Sequence, residues 1–135
     1  MSHGTFAPGL KNAMEMLIGK QENVYCTSML DGMGSDTYTS NFRELIKGIT
    51  SNDQILLMCD LAEGSPMTNA LKVLDEAGLF KNTIPFAGMN LPMVVTAAML
   101  QGELGADEIE QAVLKESRQQ IKVMEFEEDE ENEEI

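Results

Sequence analysis

His3 is the one histidine among the 135 residues, and its setting suits phosphate chemistry. Gly4 follows it directly, so the backbone there can turn sharply and approach a ligand closely. A predicted helix begins a few residues later, ends at Gly19 and has its apolar face at helical spacing: Leu10, Met14, Leu17 and Ile18. The free N–H groups and the positive dipole end at a helix start favour an anion. This stretch fits a nucleophilic histidine that handles phosphate, but an ordinary surface histidine fits it equally well.

Asp60 is the second candidate, because it directly follows the apolar run of residues 55–59. A run that is apolar on both faces predicts a strand buried in a parallel sheet, and open α/β sheets place their sites at the carboxyl ends of such strands. Gly64 and Ser65 come next, with Ser65 as predicted N-cap and Pro66 as first residue of a helix. The Gly64 and Ser65 groups would then face a ligand beside Asp60, although capping alone could explain both Asp60 and Ser65.

A third candidate is the pair Gly32 and Gly34, which lies between a predicted strand and a predicted helix. This spacing hints at a dinucleotide-binding loop, but the third glycine and the acidic strand end of that motif are missing. A small nucleotide-binding α/β domain is therefore an alternative that rests on these two glycines alone.

The charge of the chain argues against some partners. With 23 acidic and 9 basic residues the formal net charge is −14, which disfavours nucleic acid and anionic membranes. Eight of the acidic residues lie in residues 125–135, and this composition predicts a disordered acidic tail over residues 127–135 after a single domain of residues 1–126.

The cysteines and the hydropathy indicate the compartment. Cys26 and Cys59 both lie in apolar, strand-like runs, where cysteine is typical of a buried small residue in a reducing environment. One histidine without a cysteine cluster makes a metal site improbable. No apolar stretch is long enough to span a membrane and no secretion signal is seen, so we expect a cytoplasmic protein.

The elements that must position these residues alternate between helix and strand. Their order is α-β-α-β-α-β-α-α-β, which implies an α/β layer fold with a mostly parallel sheet. The predicted strands cover residues 24–30, 55–59, 83–88 and 121–126, and the last helix covers residues 106–120. Residues 121–126 alternate between apolar and polar, as a half-exposed strand would.

Three motifs in this order carry a resemblance to a known family. Together they resemble the IIA component of the mannose-type (mannose/fructose/sorbose) bacterial phosphotransferase system, over residues 2 to about 126. The motifs are Ser2-His3-Gly4-x-x-Ala7-x-Gly9, Asp60-Leu61-x-x-Gly64-Ser65-Pro66-x-x-Asn69 and Gly88-x-Asn90-Leu91-Pro92-Met93.

The resemblance implies a fold and an activity. The fold would be a three-layer sandwich whose mostly parallel central sheet has the order 2-1-3-4 plus an antiparallel last strand, which is often exchanged across a homodimer. The activity would be that of a phosphotransferase without cofactor or metal. It takes a phosphoryl group from the histidine-phosphorylated carrier HPr and passes it to the IIB component, and so indirectly serves the membrane components IIC and IID in sugar uptake.

The resemblance also implies residue roles. His3 would be phosphorylated, Asp60 would be its partner, and Gly4, Gly64 and Ser65 would bind the phosphoryl group. A non-catalytic IIA-like module that senses phosphorylation state is the alternative within the same fold.

The chain departs from the family pattern in one respect. The family carries an apolar strand before the Ser-His-Gly stretch, whereas here only Met1 precedes it. The first strand thus looks missing from this chain. We therefore expect marginal stability and a mobile His3, both relieved by about six to eight added apolar residues.

Overall fold

Strands and helices alternate along the computed structural model, which describes residues 1–127. Each strand but the last is followed by one helix, and two helices follow the last strand. The elements are β1 (Ser2–His3), α1 (Phe6–Ile18), β2 (Ser28–Met29), α2 (Ser35–Leu45), β3 (Ile55–Met58), α3 (Ser65–Glu76), a 3₁₀ turn (Phe80–Asn82), β4 (Thr83–Phe86), α4 (Leu91–Leu100) and α5 (Ala106–Gln119). The predicted acidic tail lies outside the described residues except for Glu127.

The strands form two parallel pairs. Ser2 of β1 stands opposite Ser28 of β2, and Ile55 of β3 stands opposite Thr83 of β4. The Met1 N–H group donates to the Met58 carbonyl at 2.8 Å and so places β1 beside β3. The spatial order is therefore β2-β1-β3-β4, as the family order predicts, but as two two-stranded sheets rather than one continuous sheet.

β1 and β2 are both shorter than the predicted pattern. β1 is present but has two residues, and only Ser28–Met29 of the predicted strand 24–30 is paired. The two strands limit each other's length, because residues count as a strand only where a neighbouring strand supplies hydrogen-bond partners. Residues 24–27 lie beyond the two residues of β1 and therefore stay unpaired.

The predicted antiparallel strand at residues 121–126 does not form within the single chain. These residues form no strand, and their apolar side chains are exposed: Ile121, Val123, Met124 and Phe126. Alternation gives a segment the side-chain pattern of a strand, but its backbone still needs a neighbouring edge. No edge within residues 1–127 pairs with this segment.

β3 separates two apolar cores, one on each face of the sheet. Its odd-numbered residues pack with α2 and α3, and its even-numbered residues pack on the other face with residues of α1, α4 and α5. Helices thus cover both faces, as the three-layer prediction requires. No helix among residues 1–127 is long and apolar enough to cross a membrane.

The helix starts differ slightly from the predicted caps. Gly64, not Ser65, is the N-cap of α3, and Pro66 occupies the second helical position. Gly34 likewise is the N-cap of α2. Glycine is an acceptable N-cap because it adopts the extended backbone that this position needs.

Candidate functional site

β1 and β3 end side by side, and this brings His3 and Asp60 together. The Nδ1 atom of His3 lies 2.9 Å from Oδ2 of Asp60. The backbone N–H group of His3 donates to the same oxygen at 3.1 Å. Both the ring and the backbone of His3 are thus fixed by one carboxylate, and the structure brings these two candidate residues together.

The hydrogen bond fixes the tautomer of the His3 ring. An ionised carboxylate can only accept, so Nδ1 carries a proton, and in the neutral tautomer Nε2 is then the nitrogen with the free lone pair. The His3 side chain is 46% exposed, whereas that of Asp60 is 17% exposed. A free nitrogen on an exposed ring can be reached by another protein.

Asp60 is held by four donors. Oδ2 accepts the two bonds from His3, while Oδ1 accepts from the Leu61 N–H group at 3.0 Å and from the Cys59 thiol at 3.3 Å. Partial burial alone would raise the pKa of Asp60, but the bonds from the ring and backbone of His3 and from Cys59 outweigh it and lower this pKa. Asp60 is therefore a carboxylate at neutral pH.

Cys59 itself is an inert thiol. Its side chain is fully buried, and burial, followed by the hydrogen bond to Asp60, raises its pKa. A thiol that stays protonated is a weak nucleophile but a usable donor. Cys59 thus serves the site by orienting Asp60.

Gly64 lies against the His3 ring. A Cβ atom at this position would be 3.1 Å from Cε1 and 3.5 Å from Nε2 of His3. The absent side chain therefore leaves the space in which the ring stands. It also puts the N-terminus of α3 next to Nε2, the atom that is free to react.

The other two predicted phosphate-binding residues differ in what they offer. Ser65 is exposed at the first position of α3, and its hydroxyl is not used as a cap. Gly4 has a positive φ of 55°, and its N–H group donates to the Met29 carbonyl at 2.9 Å. That amide is therefore occupied, and Gly4 contributes the turn after His3 rather than a donor.

Some supporting residues were not predicted from sequence. Ser2 is fully buried, and its hydroxyl accepts from the Ala7 N–H group at 2.7 Å, which caps α1 from outside. The Tyr38 hydroxyl donates to the Pro66 carbonyl at 2.9 Å and ties α2 to the first turn of α3. A serine shortly before a helix could have suggested the first contact, whereas the second joins residues 28 positions apart and left no local signal.

Known proteins are similar to this chain in sequence. The family model for the fructose IIA component of the phosphotransferase system (EIIA-man) matches residues 1–114. The mannose-specific EIIAB component of Escherichia coli (strain K12) is 25% identical over 124 residues, which are 91% of this chain and 38% of that protein. The fructose-specific EIIA component of Bacillus subtilis (strain 168) is 24% identical over 107 residues, 79% of this chain and 71% of that protein. The chain thus spans well under half the length of the Escherichia coli relative.

Solved structures share the fold. The mannose/sorbose-specific IIA subunit from Enterococcus faecalis superposes with a TM-score of 0.80 at 22% identity and covers 95% of this chain and 93% of that one. Component EIIA from Streptococcus agalactiae gives a TM-score of 0.78 at 24% identity and covers 90% and 92%. The match of the family model over most of the chain, with this shared fold, shows that the chain belongs to the mannose-type IIA family of phosphotransferase system components.

Proposed function

We propose that this chain is a histidine phosphocarrier that accepts a phosphoryl group from HPr on Nε2 of His3 and passes it to a IIB component. One observation supports the proposal most directly. In the neutral ring, the bond from Nδ1 to Asp60 leaves Nε2 as the nitrogen with the free lone pair, on a half-exposed side chain beside the N-terminus of α3. A phosphoryl acceptor needs this combination of a free lone pair, access for a protein partner and donors for the phosphoryl oxygens.

The proposed step balances without any further reactant. The Nε2 lone pair attacks the phosphorus atom on the phosphohistidine of HPr, a new N–P bond forms, and the donor's N–P bond breaks with its electrons returning to the donor ring. The proton on Nδ1 stays in place, so the His3 ring gains positive charge as the bond forms. The Asp60 carboxylate stabilises this charge and holds the ring orientation, as in other carboxylate–histidine pairs.

The start of α3 would hold the transferred group. Its first amides, including that of Ser65, have no intrahelical partner, and Gly64 lets them approach the ring closely. Stabilising the equatorial oxygens in this way is the main catalytic task in phosphoryl transfer. Transfer to IIB would reverse the same step with a new acceptor.

The family membership supports the wider setting of the proposal. The carrier domain would be residues 1–126 of a cytoplasmic homodimer that serves sugar uptake through the membrane components IIC and IID. The apolar side chains exposed in residues 121–126 support a homodimer, because a second copy could provide the edge that this segment needs. The excess of negative charge supports protein partners rather than nucleic acid.

The test is phosphoryl transfer from phosphorylated HPr to the wild-type chain and to the variants His3→Ala and Asp53→Asn. Asp53 is an exposed aspartate in the turn before β3, so its variant controls for the loss of a surface charge. We expect acid-labile label on the wild-type chain and on Asp53→Asn and none on His3→Ala. Full labelling of His3→Ala would refute the assignment. Label that cannot be chased onto IIB would instead favour the regulatory module.

A further inference from the structure

The loop between β4 and α4 holds the end of β3 by two backbone hydrogen bonds. We call residues 87–90 the β4–α4 loop. The Met89 N–H group of this loop donates to the Cys59 carbonyl at 3.0 Å, and the Gly88 N–H group donates to the Asp60 carbonyl at 3.2 Å. The loop therefore fixes the backbone of the residue that carries the carboxylate of the site and of the residue before it.

The position of this backbone decides how the Asp60 carboxylate meets His3. A side chain as short as that of aspartate follows its Cα atom, because few rotatable bonds separate the carboxylate from the backbone. His3 lies on the other strand pair, where its partner is Met29 of β2. A displacement of the β4–α4 loop would therefore move Asp60 relative to His3 and disturb the bonds of 2.9 and 3.1 Å that join them.

Asn90 ends the loop, and its side chain makes two hydrogen bonds of opposite kinds. Its Oδ1 atom accepts from the Met93 N–H group at 2.9 Å, as the N-cap of α4. Its Nδ2 group donates to the Ser117 carbonyl at 3.0 Å, in the last turn of α5. A backbone N–H group needs an acceptor and a carbonyl needs a donor, so these two partners fix the orientation of the amide.

The Ser117 carbonyl is left over at the end of α5. In a continuing helix it would accept from the Ile121 N–H group, four residues later, but that group donates to the Arg118 carbonyl at 3.2 Å. Ser117 is buried, and a buried carbonyl without a donor is costly. Asn90 supplies this donor, so one side chain caps both the start of α4 and the end of α5.

Capping of α4 alone does not require an asparagine. Aspartate and serine are N-caps of similar quality, because the position needs only an oxygen that accepts from the helix. An aspartate, however, would turn a second acceptor toward the Ser117 carbonyl, and a serine lacks the second arm of the amide. The asparagine is thus required by its second bond, which ties the β4–α4 loop to α5.

α5 is a firm anchor for this bond. Its Ile109 and Val113 side chains are fully buried in the same apolar core as Met89 and Met93. A loop that is tied to α5 is therefore tied to the core on that face of the sheet.

We propose that Asn90 is a positioning residue for phosphoryl transfer, which anchors the β4–α4 loop to α5 and so keeps the Asp60 carboxylate in hydrogen-bond contact with the His3 ring. Asn90 acts on Asp60 through the two backbone bonds of Gly88 and Met89 and takes no part in the chemistry. The part that concerns transfer rests on the proposed phosphocarrier function.

Two variants separate this role from capping. Asn90→Asp and Asn90→Ser both keep an acceptor for α4, and both lose the bond to Ser117. The matched control is Asn82→Ser, because the Asn82 amide also donates to a carbonyl, that of Ser51, but at the opposite end of β4 from the site. The melting temperatures of the three variants show whether they lose comparable stability.

Two measurements on the unphosphorylated chain report the site directly. The His3 backbone N–H group donates to Asp60, so its hydrogen exchange follows that bond, and the NMR signals of the ring nitrogens follow the bond from Nδ1. The third measurement is the initial rate of phosphoryl acceptance from phosphorylated HPr. The first two need no phosphoryl transfer, so they decide the positioning role even if the wild-type chain accepts no phosphoryl group.

We expect both Asn90 variants to exchange the His3 amide about fivefold faster than the wild type, to shift the ring signals and to accept the phosphoryl group about fivefold more slowly. Asn82→Ser should change none of the three readings at a similar loss of melting temperature. Wild-type exchange and ring signals in Asn90→Asp would reduce Asn90 to an N-cap and refute the proposal. Equal changes in Asn82→Ser would refute it too, because they would show a general loss of stability. So would wild-type rates of acceptance in both Asn90 variants, since the position of Asp60 would then have no effect on transfer.

Discussion

Replacing Gly64 by alanine tests how closely the His3 ring must be held. The added Cβ atom would lie 3.1 Å from Cε1, which is a few tenths of an ångström inside an ordinary contact. The backbone of Gly64 is extended, with φ 165°, so alanine adopts it without strain. The ring is half exposed and can yield, and any such movement disturbs the hydrogen bond in which Nδ1 now lies 2.9 Å from Oδ2 of Asp60.

The size of the effect follows from this displacement. A misplacement of about 1 Å costs about 100-fold in rate, so a shift of a few tenths of an ångström should slow phosphoryl acceptance about fivefold. Gly105→Ala is the matched control, because Gly105 is also a glycine N-cap with extended backbone but has no atom within 4 Å of its Cβ position. Both variants should lose a similar helix-capping free energy, up to about 1 kcal/mol.

The assay is the initial rate of acceptance from phosphorylated HPr, together with the ring NMR signals of the one histidine. We expect the rate and the ring signals to change in Gly64→Ala and to stay as in the wild type in Gly105→Ala. If Gly64→Ala accepts phosphate as fast as Gly105→Ala and its ring signals are unmoved, the close contact has no role and the reasoning fails.

Three further predictions concern the residues that hold the site. Asp60→Asn should slow phosphoryl acceptance by about 10²–10⁴-fold while the circular dichroism spectrum stays native, because the ring loses its orienting carboxylate; an unchanged rate would make Asp60 a turn residue only. Folding lowers the pKa of Asp60, so its contribution to stability is complete above the unfolded pKa of about 3.9 and is lost as pH falls through the lower folded pKa. The free energies of unfolding of the wild type and of Asp60→Asn should therefore converge in acid. A constant difference between them down to about pH 2 would contradict this. Tyr38→Phe should lower the free energy of unfolding by about 1 kcal/mol, or the melting temperature by about 4 °C, through loss of the buried bond to Pro66, and an unchanged melting temperature would show that this bond adds nothing.

Local signals predicted most of the architecture. The period of the apolar residues located every helix, and the apolar run 55–59 identified β3 as a buried parallel strand with Asp60 at its end. The pairing of His3 with Asp60 was predicted from the family resemblance alone, whereas strand position by itself indicated only that Asp60 lies at a strand end. The roles of these residues in phosphoryl transfer stay a prediction.

What the sequence could not supply were properties that depend on a neighbour. Residues 24–27 and 121–126 have strand-like composition, yet neither segment is paired with another part of residues 1–127, because pairing requires an edge elsewhere in the molecule. The four-donor setting of Asp60 also escaped prediction, since the contribution of Cys59 depends on which way its buried side chain turns. Exact cap positions such as Gly64 depend on backbone angles that adjacent residue types do not specify.

The division of the strands into two pairs has a consequence for motion. His3 belongs to the β1–β2 pair and Asp60 follows the β3–β4 pair, so the bond between them crosses the seam where the two halves meet. Few backbone hydrogen bonds cross this seam, so we expect the two strand pairs to separate locally at a free energy cost well below that of global unfolding. Each opening would release the ring from its carboxylate, and amide hydrogen exchange at His3 would then report how often His3 is separated from Asp60.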